Sequence, residues 1–501
     1  MNEVVKKAPV NWDRLDVGIE HSGRAITLPA DPEKMPLEKA INALVRKHQD
    51  EMQDFNLHEI IDAFPYDGVV AFVKAMQKLY GWASPIPTPG FFGPKPPQML
   101  SVKTGWRNED VLQCPFGSFK LPGVNNPVQT SFTTDDEGRN CLVIHGTFQK
   151  RERHILLELA TETRRIVAAE SIYRGKAIRL KVDDGGDLLL NSAPEFLNVE
   201  DTSEADLIFD HNIQAQIDTS ILVPIKHTSA CRKNKIPLKR GILLEGAYGT
   251  GKSLTARMTA NVCERNGWTF VLLDKVQGLR AALEFAKRYA PAVVFAEDID
   301  RIMMERDEDA NDLINTIDGV VSKNSEIMTI LTTNHVDKIQ PVILRPGRLD
   351  AVISLKAPTQ EAVARLLRAY AGNLLPLGSS VDDASVELSG QIPATIRECV
   401  ERAKLGMIGR GDVVLNDSDL TTAAQTMKAH LALLNRNTAK ETDAEGLART
   451  LRAVVVPTSA DSRQLADIHQ EASEANQNAD LAYRNAREIK RTIEQMATRK
   501  N

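Results

Sequence analysis

The chain has 501 residues, 42% hydrophobic and 26% charged, with a formal net charge of −5 at neutral pH. That length accommodates several domains with ample core, and the mild negative charge excludes a global basic field, so nucleic-acid binding would need a local patch. Five dispersed cysteines (Cys114, Cys141, Cys231, Cys263, Cys399) form no C-x-x-C pair or zinc spacing, a set expected of reduced thiols in a cytosolic protein. Residues 1–16 mix charges and lack an apolar h-region, so no signal peptide is expected. No run approaches the roughly 20 apolar residues of a membrane span. The expectation is a soluble, cytoplasmic protein without membrane insertion.

In chain order, apolar residues at three- and four-residue spacing predict helices near Leu37–Met52 and Asn56–Tyr80, so 1–83 reads as a helical region. The run Ser84–Pro97 is too rich in proline and glycine for a regular element and places a linker at 84–98. Residues 99–204 read as an α+β recognition or adaptor domain. Cys141–Phe148 is strand-like, His154–Ala168 helical, and Ala177–Val182 alternates apolar with basic residues like a half-exposed strand. From about Glu204 the pattern becomes strand–helix alternation, the mark of a parallel α/β sheet.

Within that region, Gly246-Ala-Tyr-Gly-Thr-Gly-Lys-Ser253 fits G-x-x-x-x-G-K-[ST], follows the apolar strand Ile242–Leu244 and opens a predicted helix, Leu254–Glu264. Glycines let such a loop wrap a polyphosphate with its N–H groups inward, and the helix N-terminus favours the anion. Gly246, Tyr248, Gly249, Thr250, Gly251, Lys252, Ser253 and Leu254 are the predicted nucleotide-binding set. Lys252 is expected at the β- and γ-phosphates of ATP and the Ser253 hydroxyl on Mg²⁺. Downstream, Pro291–Ala296 is an apolar strand ending in Glu297-Asp298, where metal-coordinating and water-polarising carboxylates belong. Alone it reads equally as an acidic loop after a core strand. Ile327–Thr332 is another apolar strand, followed by Asn334, an amide placed to hold the attacking water. Arg345-Pro-Gly-Arg348 then offers two guanidiniums, whose planar fork matches phosphate oxygens. In isolation that tetrapeptide would be a surface turn; in this order behind the loop it reads as catalytic.

The segment from about Ile221 to Ala403 resembles an AAA+ ATPase module of the AAA clade, with the helical lid beginning near Ala357-Pro358-Thr359. The resemblance implies Lys252 and Ser253 in Walker A, Glu297 and Asp298 in Walker B, Asn334 as sensor 1, and Arg345 and Arg348 as arginine fingers. Ser253 and Glu297 would ligate the metal. It also implies a homo-oligomeric ring, commonly a hexamer, with ATP at subunit interfaces. The expected fold is a P-loop α/β parallel-sheet domain at 205–356 and a helical lid at 357–437. The usual Walker B order is Asp-Glu; here it is Glu297-Asp298. With Leu313–Gly319 and Thr332-Thr-Asn-His335, this is similar to the mitochondrial branch that translocates a folded Rieske iron–sulfur protein, which is membrane-anchored. Only residues 274–291 separate the strand Trp268–Leu273 from the Walker B strand. The usual aromatic pore loop is missing, with Val276-Gln277-Gly278 its nearest remnant. Phe285 and Tyr289 sit at helical spacing and are expected to pack rather than grip a client. Arg397, a turn beyond Pro393 in the lid, reads equally as phosphate-reaching or structural and stays outside the catalytic set.

Residues 438–501 comprise a linker and a predicted long helix. Leu465, Ile468, Ala472, Ala475, Ala479, Ala482, Ala486, Ile489, Ile493 and Met496 make a heptad seam, coiled-coil-like and alanine-rich. The seam leaves open a second subunit, a hairpin, another protein, or docking on the chain's own ATPase domain. The leading function is an ATP-hydrolysing machine that remodels or disassembles a macromolecular client, protein being favoured. The alternatives are a nucleic-acid motor or loader, resting on Lys150–Arg153, Arg174–Lys181 and the basic C-terminal residues, and an ATP-controlled scaffold with slow hydrolysis.

Overall fold

The structure, a computed structural model, describes residues 37–431 apart from 89, 91–92, 184, 190–191, 203–205, 300–324, 337–338, 340–348 and 377. Arg345, Arg348 and the heptad seam lie outside the described residues. The described strands are β1 (Asp54–Ile61), β2 (Pro85–Ile86), β3 (Gln98–Lys103), β4 (Val111–Phe116), β5 (Ser118–Phe119), β6 (Val128–Thr134), β7 (Asn140–Gln149), β8 (Ala177–Leu180), β9 (Glu195–Phe196), β10 (Arg240–Glu245), β11 (Thr269–Leu273), β12 (Ala292–Ala296), β13 (Ile327–Thr333) and β14 (Ala351–Ser354). By packing, residues up to Gly372 together with Leu388–Glu398 form one unit, and Asn373–Glu387 with the residues from Cys399 onward form another.

In the first unit an antiparallel sheet has the order β1-β7-β6-β5-β2, and β3 and β4 form a separate hairpin. The helix expected over Asn56–Tyr80 is present only from Pro65 to Tyr80; Asp54–Ile61 is a strand. Proline accounts for the break. At the first turn its missing N–H costs nothing, while it holds Phe64 extended at φ −58°, ψ 141°. The residues ahead of it then pair with β7, Asp54 opposite Gln149 through Ile61 opposite Leu142. β2, inside the Pro/Gly-rich run, pairs with β5, so this sheet draws on both sides of the expected linker and on the linker itself.

The second sheet has the order β14-β10-β13-β12-β11-β8-β9, parallel throughout except for the last pair. Its central strands are covered on both faces, which is why they read as continuous apolar runs. Alternate residues feed two cores. Leu243, Val294 and Leu331 join one cluster, whereas Leu244, Phe295 and Ile330 join the other. The first cluster is continuous with the antiparallel sheet and its helices, so β8 and β9, from the stretch expected as a separate α+β domain, and the N-terminal elements share a core with the parallel sheet.

One buried polar cluster ties these layers. Asp67, 1% exposed, accepts hydrogen bonds from Ser171 Oγ at 2.7 Å and Ile172 N at 3.0 Å. The Tyr289 hydroxyl also bonds Asp67 and accepts the Phe64 N–H at 2.9 Å. Phe285 and Tyr289 are buried, with ring centroids 4.7 Å apart beside Phe64 and Tyr173. The packing role expected for both is therefore observed.

In the second unit, the end of helix Pro393–Arg410 and helix 417–431 enclose Cys399, Val400, Met407, Leu420 and Met427. Asn416 opens the last helix with a capping box: its Oδ1 accepts the Asp419 N–H at 3.0 Å while Asp419 Oδ2 accepts the Asn416 N–H at 3.2 Å. No helix among the described residues is long and apolar enough to cross a membrane.

Tyr289→Phe should lower unfolding free energy by about 1–3 kcal/mol in denaturant titration, because it strands the Phe64 amide and removes a donor from Asp67. Burial outweighs the hydrogen bonds and the nearby Arg174 and pushes the Asp67 carboxyl above its ordinary 3.8. Its contribution to stability is thus full below that pH and is lost as pH rises through the elevated folded value. Asp67→Asn should remove this component, read as a smaller loss of stability between pH 4 and pH 7 than in the wild type.

Candidate nucleotide-binding site

Three strand ends converge because the strands are parallel and in register. Glu245 of β10 lies opposite Thr333 of β13, and Ala296 of β12 opposite Leu331. The residues that follow each strand therefore emerge at one edge, where ligands bind parallel α/β sheets. After β10 the loop turns tightly, with the Gly246 N–H bonded to the Thr333 carbonyl at 3.2 Å. A Cβ on Gly246 would stand 2.6 Å from the Leu355 carbonyl oxygen, and Gly251 enters the helix Lys252–Arg265 at φ 109°. Both positions require glycine.

Lys252 lies at the centre. Its ammonium donates to the carbonyls of Gly246 at 2.6 Å and Ala247 at 3.0 Å and to Asn334 Oδ1 at 2.7 Å. The Tyr248 ring centroid is 5.7 Å away. Asn334 Nδ2 donates in turn to Asp298 Oδ1 at 2.9 Å, and Ser253 Oγ to Glu297 Oε1 at 2.9 Å. Each acid thus has its own partner on a different strand or helix. These groups border a cavity of about 410 Å³, with Tyr248, Gly249, Gly251 and Leu254 along its loop side. Thr250 is buried and donates to the Ala247 carbonyl at 2.8 Å, so it and Gly246 shape the loop from behind.

The cavity also takes residues the motifs did not select. Arg257 lies on the helix Lys252–Arg265, Tyr370 near the end of helix Gln360–Ala371, and Arg397 in helix Pro393–Arg410. Arg397 reaches it because the start of its helix rests on the loop: Ala394 N–H donates to the Gly249 carbonyl at 3.3 Å. A Cβ on Gly249 would meet Ala394 Cβ and Ile392 Cδ1, each at 2.9 Å. Burial pushes the Tyr370 phenol up, and the charge of Arg397 opposes this. The sequence signal for Arg397 was present, a helix opened by proline with arginine one turn later. Arg257 and Tyr370 carried none.

The donor set fits a hard cation beside a polyphosphate. A hydroxyl and a carboxylate at 2.9 Å are the few protein oxygens that Mg²⁺ takes, the remaining positions belonging to water and phosphate. Among the described residues no group of three or more His, Cys, Asp or Glu could hold a metal. Lys252, Arg257, Arg397 and the helix N-terminus supply positive potential for the anion. Lys252→Ala should weaken binding of a fluorescent ATP analogue by about two to three orders of magnitude, whereas Lys252→Arg, too large for its three oxygen partners, should restore little of it.

Residues 242–357 match the family described as "ATPase family associated with various cellular activities (AAA)". The chain is 28% identical over 229 residues to the 26S proteasome regulatory subunit 8 homolog of Schizosaccharomyces pombe, covering 42% of this chain and 57% of that protein. It is 30% identical over 210 residues to the 26S proteasome regulatory subunit 8 of Caenorhabditis elegans, covering 37% of this chain and 50% of that one. The chain spans about half the length of these curated relatives. With its parallel sheet, glycine loop and converging strand ends, the chain carries an AAA ATPase domain homologous to that of proteasome regulatory subunits.

Proposed function

We propose that the protein is a Mg²⁺-dependent ATPase that works as a homo-oligomeric ring, hexameric as in much of its clade, and remodels or disassembles a macromolecular client. The observation that carries this reading is the chain of hydrogen bonds Lys252–Asn334–Asp298 beside the pair Ser253–Glu297 at the rim of one cavity. Mg²⁺, when bound, neutralises charge on the phosphate oxygens. Ser253 and Glu297 would hold it, Lys252 would place its ammonium at the β- and γ-phosphates, and Asp298 with Asn334 would orient the attacking water and accept its proton. Arg345 or Arg348 of a neighbouring subunit stabilises the transferring charge.

A protein client is favoured over nucleic acid. The relatives are named as regulatory subunits of a proteasome. The basic strand that suggested nucleic acid is largely paired: Lys176 with Glu264 at 2.8 Å, Arg179 with Asp274 at 3.4 Å, and Lys181 with Glu195 at 3.7 Å. Lys150 pairs likewise with Asp50 at 2.5 Å. The burial of Phe285 and Tyr289 argues against a grip by aromatic paddles. The acid order Glu297-Asp298 is similar to that of the Rieske translocase branch, whose cargo is not carried over.

Asp298→Asn should retain nucleotide binding, lose about 10²–10⁴-fold in turnover, and accumulate as a ring-sized species with Mg-ATP in light scattering. A monomer under those conditions, or turnover equal to wild type, would remove the inter-subunit ATPase reading. Assembly with near-zero wild-type turnover would instead support the ATP-controlled scaffold.

A further inference from the structure

We propose that Thr332 is a positioning residue that holds Asp298 in its working conformation; its catalytic consequence rests on the ATPase reading above. Thr332 is 1% exposed, in a strand whose neighbours Ile330 and Leu331 are core residues. A hydroxyl buried there must be hydrogen-bonded. Its Oγ1 accepts the Asp298 N–H at 3.0 Å, and its carbonyl accepts the Ile299 N–H at 2.9 Å. One residue therefore captures two successive amides just after β12 ends.

Asp298 needs that capture. It sits at φ 51°, one of two non-glycine residues with positive φ among the described residues. An L-residue there is disfavoured by contact between its Cβ and backbone, and it persists where surrounding bonds over-determine it. Without the Thr332 hydroxyl the Asp298 amide loses this acceptor, and the backbone at 298 is freer to leave the conformation in which its carboxylate meets Asn334. In the observed conformation the carboxylate meets Asn334 Nδ2 at 2.9 Å, and Asn334 meets Lys252 at 2.7 Å. Thr332 thus acts through Asp298, on the same strand end that supplies Asn334.

The test uses the full-length protein. Thr332→Val keeps the side-chain shape and deletes the hydroxyl; Thr332→Ser restores it; Thr332→Ala is measured alongside in case valine perturbs folding. In the nucleotide-free protein, hydrogen exchange at the Asp298 and Ile299 amides should quicken by about tenfold in the valine variant, with β12 still protected. The kcat for ATP should fall by about tenfold while KM stays within about twofold, and serine should recover most of the loss. In an Asp298→Asn background the valine substitution should cost less than about twofold more. Unchanged exchange at Asp298, wild-type kcat in both the valine and alanine variants, or additivity with Asp298→Asn would overturn the role of Thr332. Absence of wild-type ATP turnover would overturn the ATPase reading instead, and the exchange measurement would still decide whether Thr332 holds Asp298.

Discussion

The parallel, in-register pairing of β10, β13 and β12 is the constraint on which the rest depends. Each strand is buried on both faces, with alternate side chains committed to different cores. A one-residue slip would exchange those faces, and burial forbids it. It would also move a strand end by about 3.3 Å, more than any of the contacts between Lys252, Asn334 and Asp298 can absorb. The hydrophobic interior therefore sets the distances at the polar rim. Gly246, Glu297 and Asn334 are at or just beyond the last residues of their strands, where the chain first regains freedom to present polar groups.

The N-terminal elements do not stand apart from this arrangement. The helix Leu279–Arg288 packs on β11 and β12, its Phe285 ring meets Phe64, and Tyr289 just after it is bonded to Phe64 and Asp67. The Arg288 side chain, 5% exposed, adds Asp62 at 2.9 Å and the Asn140 carbonyl at 2.7 Å. A buried guanidinium with such partners is costly to separate from them. On the other flank the turn at Gly186 presses on the short turn Val276–Gly278, where an added Cβ would lie 2.5 Å from the Gln277 carbonyl oxygen. Any displacement of this helix must carry the antiparallel sheet with it, because the alternative is to break a packed, hydrogen-bonded core.

Much of the site was legible in the sequence because its parts are locally encoded. A glycine loop between an apolar strand and a helix, acids after a buried strand, and Thr333-Asn334 after another are short-range signals, and Ile242–Leu244, Trp268–Leu273 and Ile327–Thr332 read as strands because parallel strands are continuous apolar runs. What escaped depends on distant partners. The spacing of Leu57, Ile60, Ile61 and Phe64 is that of a helix, and pairing with β7 together with Pro65 overrides it. Pairing of β8 with β11 joins residues about 90 positions apart, as Phe270 opposite Ala177 shows, and no local pattern announces it. Arg257, Tyr370 and Arg397 belong to the cavity through packing of helices on the loop, which spacing alone does not encode.

The reversed acid order becomes intelligible in the same terms. At the first position after β12 the site has glutamate, whose extra methylene carries Glu297 Oε1 to the Ser253 hydroxyl at 2.9 Å. The second position has the shorter aspartate, and there the backbone turns through positive φ, bringing Asp298 Oδ1 to Asn334 Nδ2 at 2.9 Å. Side-chain length at one position and backbone geometry at the next place each carboxylate against its own partner. Aspartate also tolerates left-handed backbone better than most side chains, since its short polar group finds local hydrogen bonds. Glutamate at position 298 would gain reach the contact with Asn334 does not need and lose some of that tolerance. The exchange of the two acids is thus coupled to the backbone that carries them.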